Sequence, residues 1–136
     1  MQPENLAYAL IQVAHNFGAA ALVGGSAFWL WPAPRQEYAR LFAWLILVAW
    51  STQIASGIVF GLISLYFYGE APDISAIAIT ALVIKVSSAA FGFLLAVWYL
   101  ALGKGWTARN VEHAFQAQLA LAGVALTAAA FLRWFS

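Results

Sequence analysis

Residues 6–31 read LAYALIQVAHNFGAAALVGGSAFWLW, an apolar stretch with one imidazole, that of His15, inside it. The stretch is longer than the ~20 residues with which a helix crosses ~30 Å of hydrocarbon. Three further apolar stretches follow at about 41–68, 75–102 and 110–135. Because backbone groups in lipid must hydrogen-bond within their own segment, each stretch is predicted to be a transmembrane helix.

The composition agrees with a membrane protein. Of the 136 residues, 65% are hydrophobic and 8% are charged, whereas a soluble domain carries about a quarter charged residues. The net charge is +1, and without a basic stripe no nucleic-acid partner is expected. The absence of cysteine excludes disulfides and thiolate metal sites. Residues 1–136 are therefore interpreted as one transmembrane domain embedded in the lipid bilayer.

The breaks between the stretches are short and contain proline or glycine, which end helices. Short connections join antiparallel neighbours, so the fold class is predicted to be all-α, an integral membrane four-helix up-down-up-down bundle. Asp73 or Ser75 is expected to cap the third helix, and Thr107 the fourth. The N-terminus is acidic, and the first stretch is expected to be a retained helix and not a signal peptide.

Basic residues are concentrated at the first and third connections, and the second connection carries acidic residues only. The basic residues are Arg35, Arg40, Lys104 and Arg109. The positive-inside rule places these two connections in the cytoplasm and both termini outside, in the periplasm. The expected location is the bacterial inner (plasma) membrane, as a multi-pass protein.

Two basic side chains fall inside the predicted helices at matching positions. His15 and Lys85 lie about nine and ten residues into helices that enter from the same side, hence ~13–15 Å deep. Each costs at least ~2.5 kcal/mol in lipid, so such residues face the interior and mark function. Gln12 is expected on the face of His15, and Ser88 on the face of Lys85, because residues three apart are neighbours on a helix.

Small residues stand at the same depth in the other two helices. Ser56 and Gly57 in the second helix, with Gly123 in the fourth, would leave room for a large flat molecule. The competing interpretation is close helix packing, for which Gly57 and Gly61 form a GxxxG pattern. His15 has a competing interpretation too, as a hydrogen-bonding link to a neighbouring helix.

Haem b is the cofactor that these residues favour. His15 would ligate the metal, and Lys85 would be a second ligand, a base or an anion partner near the tetrapyrrole. His113 is too far along the fourth helix to share an iron with His15. Gln53, Gln116 and Gln118 would either line a proton path or link helices. Copper(I) prefers thiolates and thioethers, and the chain has no cysteine and only Met1.

Four short motifs carry a resemblance to a known group. They are His15 followed by Val23-Gly24-Gly25, then Ser56-Gly57, then Ile84-Lys85-Val86, and last Arg109-Asn110-Val111-Glu112. In these the chain resembles the CopD-like and HemJ-like superfamily of four-helix integral membrane proteins. It departs from HemJ first helices at Ala21-Leu22 and Trp31-Pro32.

The resemblance implies specific functions. HemJ-type proteins oxidise protoporphyrinogen, and their key histidine and lysine would correspond to His15 and Lys85, with Lys85 catalytic. CopD proteins are linked to copper uptake. The expected function is haem-dependent electron transfer or tetrapyrrole oxidation, with a quinone or other membrane redox partner. Copper transport and a structural subunit of a respiratory complex stay open. The chain is expected to form a homo-oligomer or to join a larger membrane complex.

Overall fold

A computed structural model describes residues 3–31, 33, 36–69 and 75–135. In the described residues four long helices follow one another, each long and apolar enough to cross a membrane. They are α1 (Pro3–Leu30), α2 (Ala39–Tyr68), α3 (Ala76–Leu102) and α4 (Ala108–Phe135), with 3-10 turns at Gln36–Tyr38 and Gly103–Gly105. The prediction of four helices is confirmed, although α1, α2 and α4 begin two or three residues before the predicted starts.

The helix ends follow local rules that the sequence predicts. The Ser75 side chain accepts a hydrogen bond from the backbone N–H of Ala78 and caps α3. Thr107 accepts a backbone N–H at the start of α4, at 3.3 Å. Gly69 ends α2 with φ of 71°, a left-handed conformation that costs glycine little. The alternative cap, Asp73, lies outside the described residues.

The helices form a ring in chain order. The closest packing is within the pairs α1/α2 and α3/α4, and the contacts α2/α3 and α1/α4 join the two pairs. Ser75 at the start of α3 donates to the carbonyl of Phe135 at the end of α4, at 2.6 Å. Arg40 at the start of α2 donates to the carbonyl of Leu100 near the end of α3, at 3.2 Å. Neighbouring helices in these pairs therefore run in opposite directions.

The bundle has two halves along its length. We call residues 18–50 and 88–121 the closed half, which contains the described parts of the first and third connections. The described residues 3–17, 51–69, 75–87 and 122–135 form the open half. Large side chains are fully buried in the closed half, among them Trp29, Trp50 and Ile46. The Trp29 ring stacks on that of Phe115 with centroids 4.1 Å apart.

A polar link inside the closed half fixes this packing. The Trp50 indole N–H donates to the side-chain oxygen of Gln118 at 2.8 Å. The Gln118 amide in turn donates to the carbonyl of Gly92 at 2.9 Å. Only glycine fits at position 92, because a Cβ there would overlap the Trp50 indole. These hydrogen bonds join α2, α3 and α4 at the same depth in the bundle.

The open half is held together differently. Every described residue buried there is an alanine or a serine: Ser56, Ser64, Ala78, Ala81, Ala122 and Ala128. Many of its large apolar side chains point outward, as Phe17 does with 74% of its surface exposed. Small residues allow helices in lipid to approach closely, and lipid can cover the exposed apolar side chains.

Candidate functional site

His15 and Lys85 meet inside the open half. Nε2 of His15 lies 3.5 Å from Nζ of Lys85. Helices α1 and α3 each pack mainly on α2 and α4, so the two side chains meet diagonally across the bundle. With a rise of 1.5 Å per residue, His15 is about 18 Å from the start of α1 and Lys85 about 14 Å from that of α3. The contact therefore lies well inside the apolar part of the bundle.

Ser56 sets the orientation of the imidazole. Its hydroxyl donates to the carbonyl of Thr52 at 2.6 Å, and its oxygen lies 2.6 Å from Nδ1 of His15. A hydroxyl has one hydrogen to donate. When that hydrogen goes to Thr52, the Ser56 oxygen accepts from His15 and the imidazole hydrogen lies on Nδ1. Nε2 consequently directs its lone pair toward Lys85.

Two further side chains of α2 hold the same segment of α1. The Gln53 amide donates to the backbone carbonyl of His15 at 2.5 Å. The Phe60 ring meets the imidazole edge to face, with centroids 5.8 Å apart, and stacks on Tyr8 at 6.2 Å. The position of the imidazole is thus determined largely by α2. Ser56 was expected only as a small residue, and the contact of Gln53 with this segment was not anticipated.

Of the polar neighbours predicted for His15 and Lys85, one is buried and the other is exposed. Ser88 is buried one turn from Lys85, with 5% of its surface exposed. Gln12 lies on the exposed side of α1, where it donates to Asn16 at 2.7 Å. The structure therefore places Ser88 in the interior near the contact and Gln12 outside it.

The predicted glycines line no part of the contact. Gly57 and Gly123 are exposed, and a Cβ built on either meets no atom within 4 Å. The same holds for Gly61, the partner of Gly57 in the GxxxG pattern. Within one copy of the chain, this pattern does not mediate the packing of α2.

Two of the remaining polar residues link helices. Gln118 links Trp50 to Gly92, so its amide group is used at both ends. Gln53 links α2 to α1. His113 is exposed in the first turns of α4, in the closed half. For Gln53 and Gln118 the structure therefore shows hydrogen bonding across helices, whereas Gln116 bonds within α4.

The contact offers two nitrogen donors, an imidazole and an amine, of kinds that can bind a metal ion. Nε2 and Nζ are 3.5 Å apart, which is less than the sum of two metal–nitrogen bonds of about 2.0 Å each, so the two side chains would have to separate to admit a metal ion. A metal-binding histidine usually donates its other ring N–H to an acceptor, as His15 does to Ser56. The described residues that are fully buried in this half are alanine and serine, and the one ring described against the imidazole is that of Phe60.

Comparison with known proteins identifies no relative of the chain. No protein-family model, no curated protein and no solved structure matches it.

Proposed function

We propose that the protein binds haem b inside the bilayer and transfers electrons there. His15 and Lys85 are the residues that would hold its iron. The observation that supports this is the 3.5 Å approach of Nζ to an imidazole whose Nδ1 is already committed to Ser56. Bound haem would supply a one-electron redox couple. Ser56 and Gln53 hold the ligand-bearing segment, and Phe60 covers the ring edge against water.

The proposed location is the inner membrane of a bacterium. Three basic residues, Arg40, Lys104 and Arg109, are exposed at the closed end of the bundle, which the positive-inside rule would place in the cytoplasm. Both termini would then lie on the periplasmic side. In this orientation the His15–Lys85 contact lies nearer the periplasmic surface.

An enzymatic form of the proposal is protoporphyrinogen oxidation with a quinone as electron acceptor. The observation that favours it is the position of Lys85, since an amine beside an imidazole in the membrane interior can accept a proton from a bound substrate. Copper transport has less support. Copper(I) prefers thiolates and thioethers, and the chain has no cysteine and only Met1.

Absorption spectra of the detergent-purified protein, oxidised and dithionite-reduced, test the proposal. The wild type should show a b-type spectrum that His15→Ala abolishes and Lys85→Met shifts. His113→Ala is the matched control, because this second histidine is exposed in the other half, and its spectrum should equal that of the wild type.

Well-folded wild-type protein without haem would refute the proposal. Copper-dependent growth of producing cells would then favour transport. Colourless protein that co-purifies with a large complex would favour a structural subunit.

A further inference from the structure

A groove of about 820 Å³ lies between α3 and α4 in the open half. Its walls are apolar or small: Ala76, Ile77, Thr80, Ala81, Ile84, Ala120, Gly123, Val124, Thr127, Ala128 and Phe131. The rim residues Ile77 and Val124 are about half exposed, at 50% and 47%. In a bilayer, the groove would therefore open sideways to lipid. From Ala120 to Phe131 it follows α4 for about 16 Å.

The groove has two polar atoms with a defined role. Thr80 donates its hydroxyl hydrogen to the carbonyl of Ala76, and Thr127 donates to that of Gly123, both at 2.9 Å. A hydroxyl that has given its hydrogen keeps lone pairs that can accept. The two threonines thus offer acceptors, and no donor, to a molecule in the groove.

The deep end of the groove lies at the level of the His15–Lys85 contact. Ile84, which lines it, directly precedes Lys85, and Ala81 is one turn away on α3. On α4, a Cβ built on Gly123 would meet no atom within 4 Å. There is consequently room at this end for more than a narrow hydrocarbon chain.

We propose that this groove binds an isoprenoid quinol. The apolar walls suit an isoprenoid tail, and the volume is that of a small-molecule site. The two threonine oxygens suit the O–H donors of a quinol ring. The groove begins at Ala76, the first residue of α3, so a lipid tail could also enter it with its head group at the membrane surface. A hydrocarbon tail cannot donate to the two threonine oxygens, whereas a quinol ring can. The choice of a redox-active molecule rests on the proposed function, because haem at His15 needs an electron partner dissolved in the membrane.

Binding of tritium-labelled decylubiquinol tests this, measured without oxygen on protein in phosphatidylcholine nanodiscs after subtraction of empty nanodiscs. Gly123→Leu fills the groove and should weaken binding at least about tenfold. Gly61→Leu is the matched control, since it also extends into open space in the same half but on α2. Its affinity should equal that of the wild type.

The role of the two threonines is tested by comparing the affinities for quinol and quinone. Wild type should bind decylubiquinol about tenfold more tightly than decylubiquinone, because only the quinol can donate to both oxygens. Thr80→Val combined with Thr127→Val keeps the shape of the groove and should abolish that preference. This readout does not depend on the effect of Gly123→Leu on folding.

Three results would overturn the proposal. Equal binding by Gly123→Leu and Gly61→Leu would place the quinol elsewhere. Equal affinity of the wild type for quinol and quinone would leave an ordinary hydrocarbon groove. Loss of a co-purifying subunit in Gly123→Leu, with quinol binding unchanged, would assign the groove to a partner helix. The haem spectrum separates the two proposals, since Gly123→Leu should keep it and His15→Ala should lose it.

Discussion

The closed and open halves are built from the same four helices but pack by different means. The closed half interlocks large rings, with Trp29 and Trp50 almost without exposed surface. The open half buries only alanine and serine among its described residues. It contains the His15–Lys85 contact and the groove. We infer that the closed half supplies most of the stability, which leaves the open half free to form a binding site.

Two glycines on neighbouring helices show the difference at one residue. Gly92 in α3 is required because a Cβ would overlap the Trp50 indole, which is itself fixed by Gln118. Gly123 in α4 faces open space. The same residue type is a packing requirement in the closed half and leaves unfilled volume in the open half.

The largest expected effect comes from overpacking the closed half. Gly92→Val should destabilise the protein by about 3 kcal/mol, because the buried Trp50 must move and lose its hydrogen bond. Thermal unfolding in detergent, followed by tryptophan fluorescence, measures this. Gly61→Val, which enters open space in the other half, is the control. Equal melting temperatures for the two variants would contradict the division into halves.

A smaller effect is expected from removing the polar link. Gln118→Leu leaves the Trp50 N–H and the Gly92 carbonyl without their partner and should cost about 1–2 kcal/mol. Gln116→Leu removes an exposed hydrogen bond to Glu112 in the same helix and should change stability by less than about 0.5 kcal/mol. The comparison is made by the same unfolding measurement. If Gln118→Leu leaves the stability unchanged, the packing of aromatic rings alone holds the helices together at this depth.

In the open half, we expect function to change more than stability. Ser56→Ala removes the acceptor of the His15 Nδ1–H and should lower haem affinity about 10- to 100-fold. Its cost in stability should stay below about 1 kcal/mol. Haem titration and thermal unfolding measure the two effects. Ser51→Ala, which removes an exposed hydroxyl bonded within α2, should alter neither. A large loss of stability with unchanged haem affinity would assign Ser56 a packing role.

The smallest effect is expected where the two halves meet. A Cβ at Gly18 would approach the Gln53 amide nitrogen to 2.6 Å. Because that atom ends a flexible side chain, Gly18→Ala should displace Gln53 from the His15 carbonyl. Losing this hydrogen bond should nearly offset the ~1 kcal/mol by which alanine is favoured over glycine in a helix. Gly24→Ala, with open space around its Cβ, should show the full gain in unfolding experiments. An equal gain in stability in Gly18→Ala would mean that the hydrogen bond from Gln53 to His15 contributes nothing to stability.

The sequence predicted the helices well and the surroundings of the site only in part. The predicted caps by Ser75 and Thr107 are confirmed, because capping depends on local chemistry. The common depth of His15 and Lys85 follows from counting residues along straight helices, and their contact agrees with it. Gly57 and Gly123 were expected beside this contact and lie on exposed faces instead. Depth fixes the level of a residue but not the direction in which its side chain points.

By itself, the sequence determined that there are four helices long and apolar enough to cross a membrane, and it placed their starts to within three residues, because hydropathy and capping act within one segment. It also determined that two basic groups share a level inside the bundle. Only the tertiary structure decided the rotation of α2, which is apolar nearly all round. That rotation brings Ser56 and Gln53, and not Gly57, to His15. The groove between α3 and α4 was likewise decided by packing, since it depends on which faces of two helices diverge.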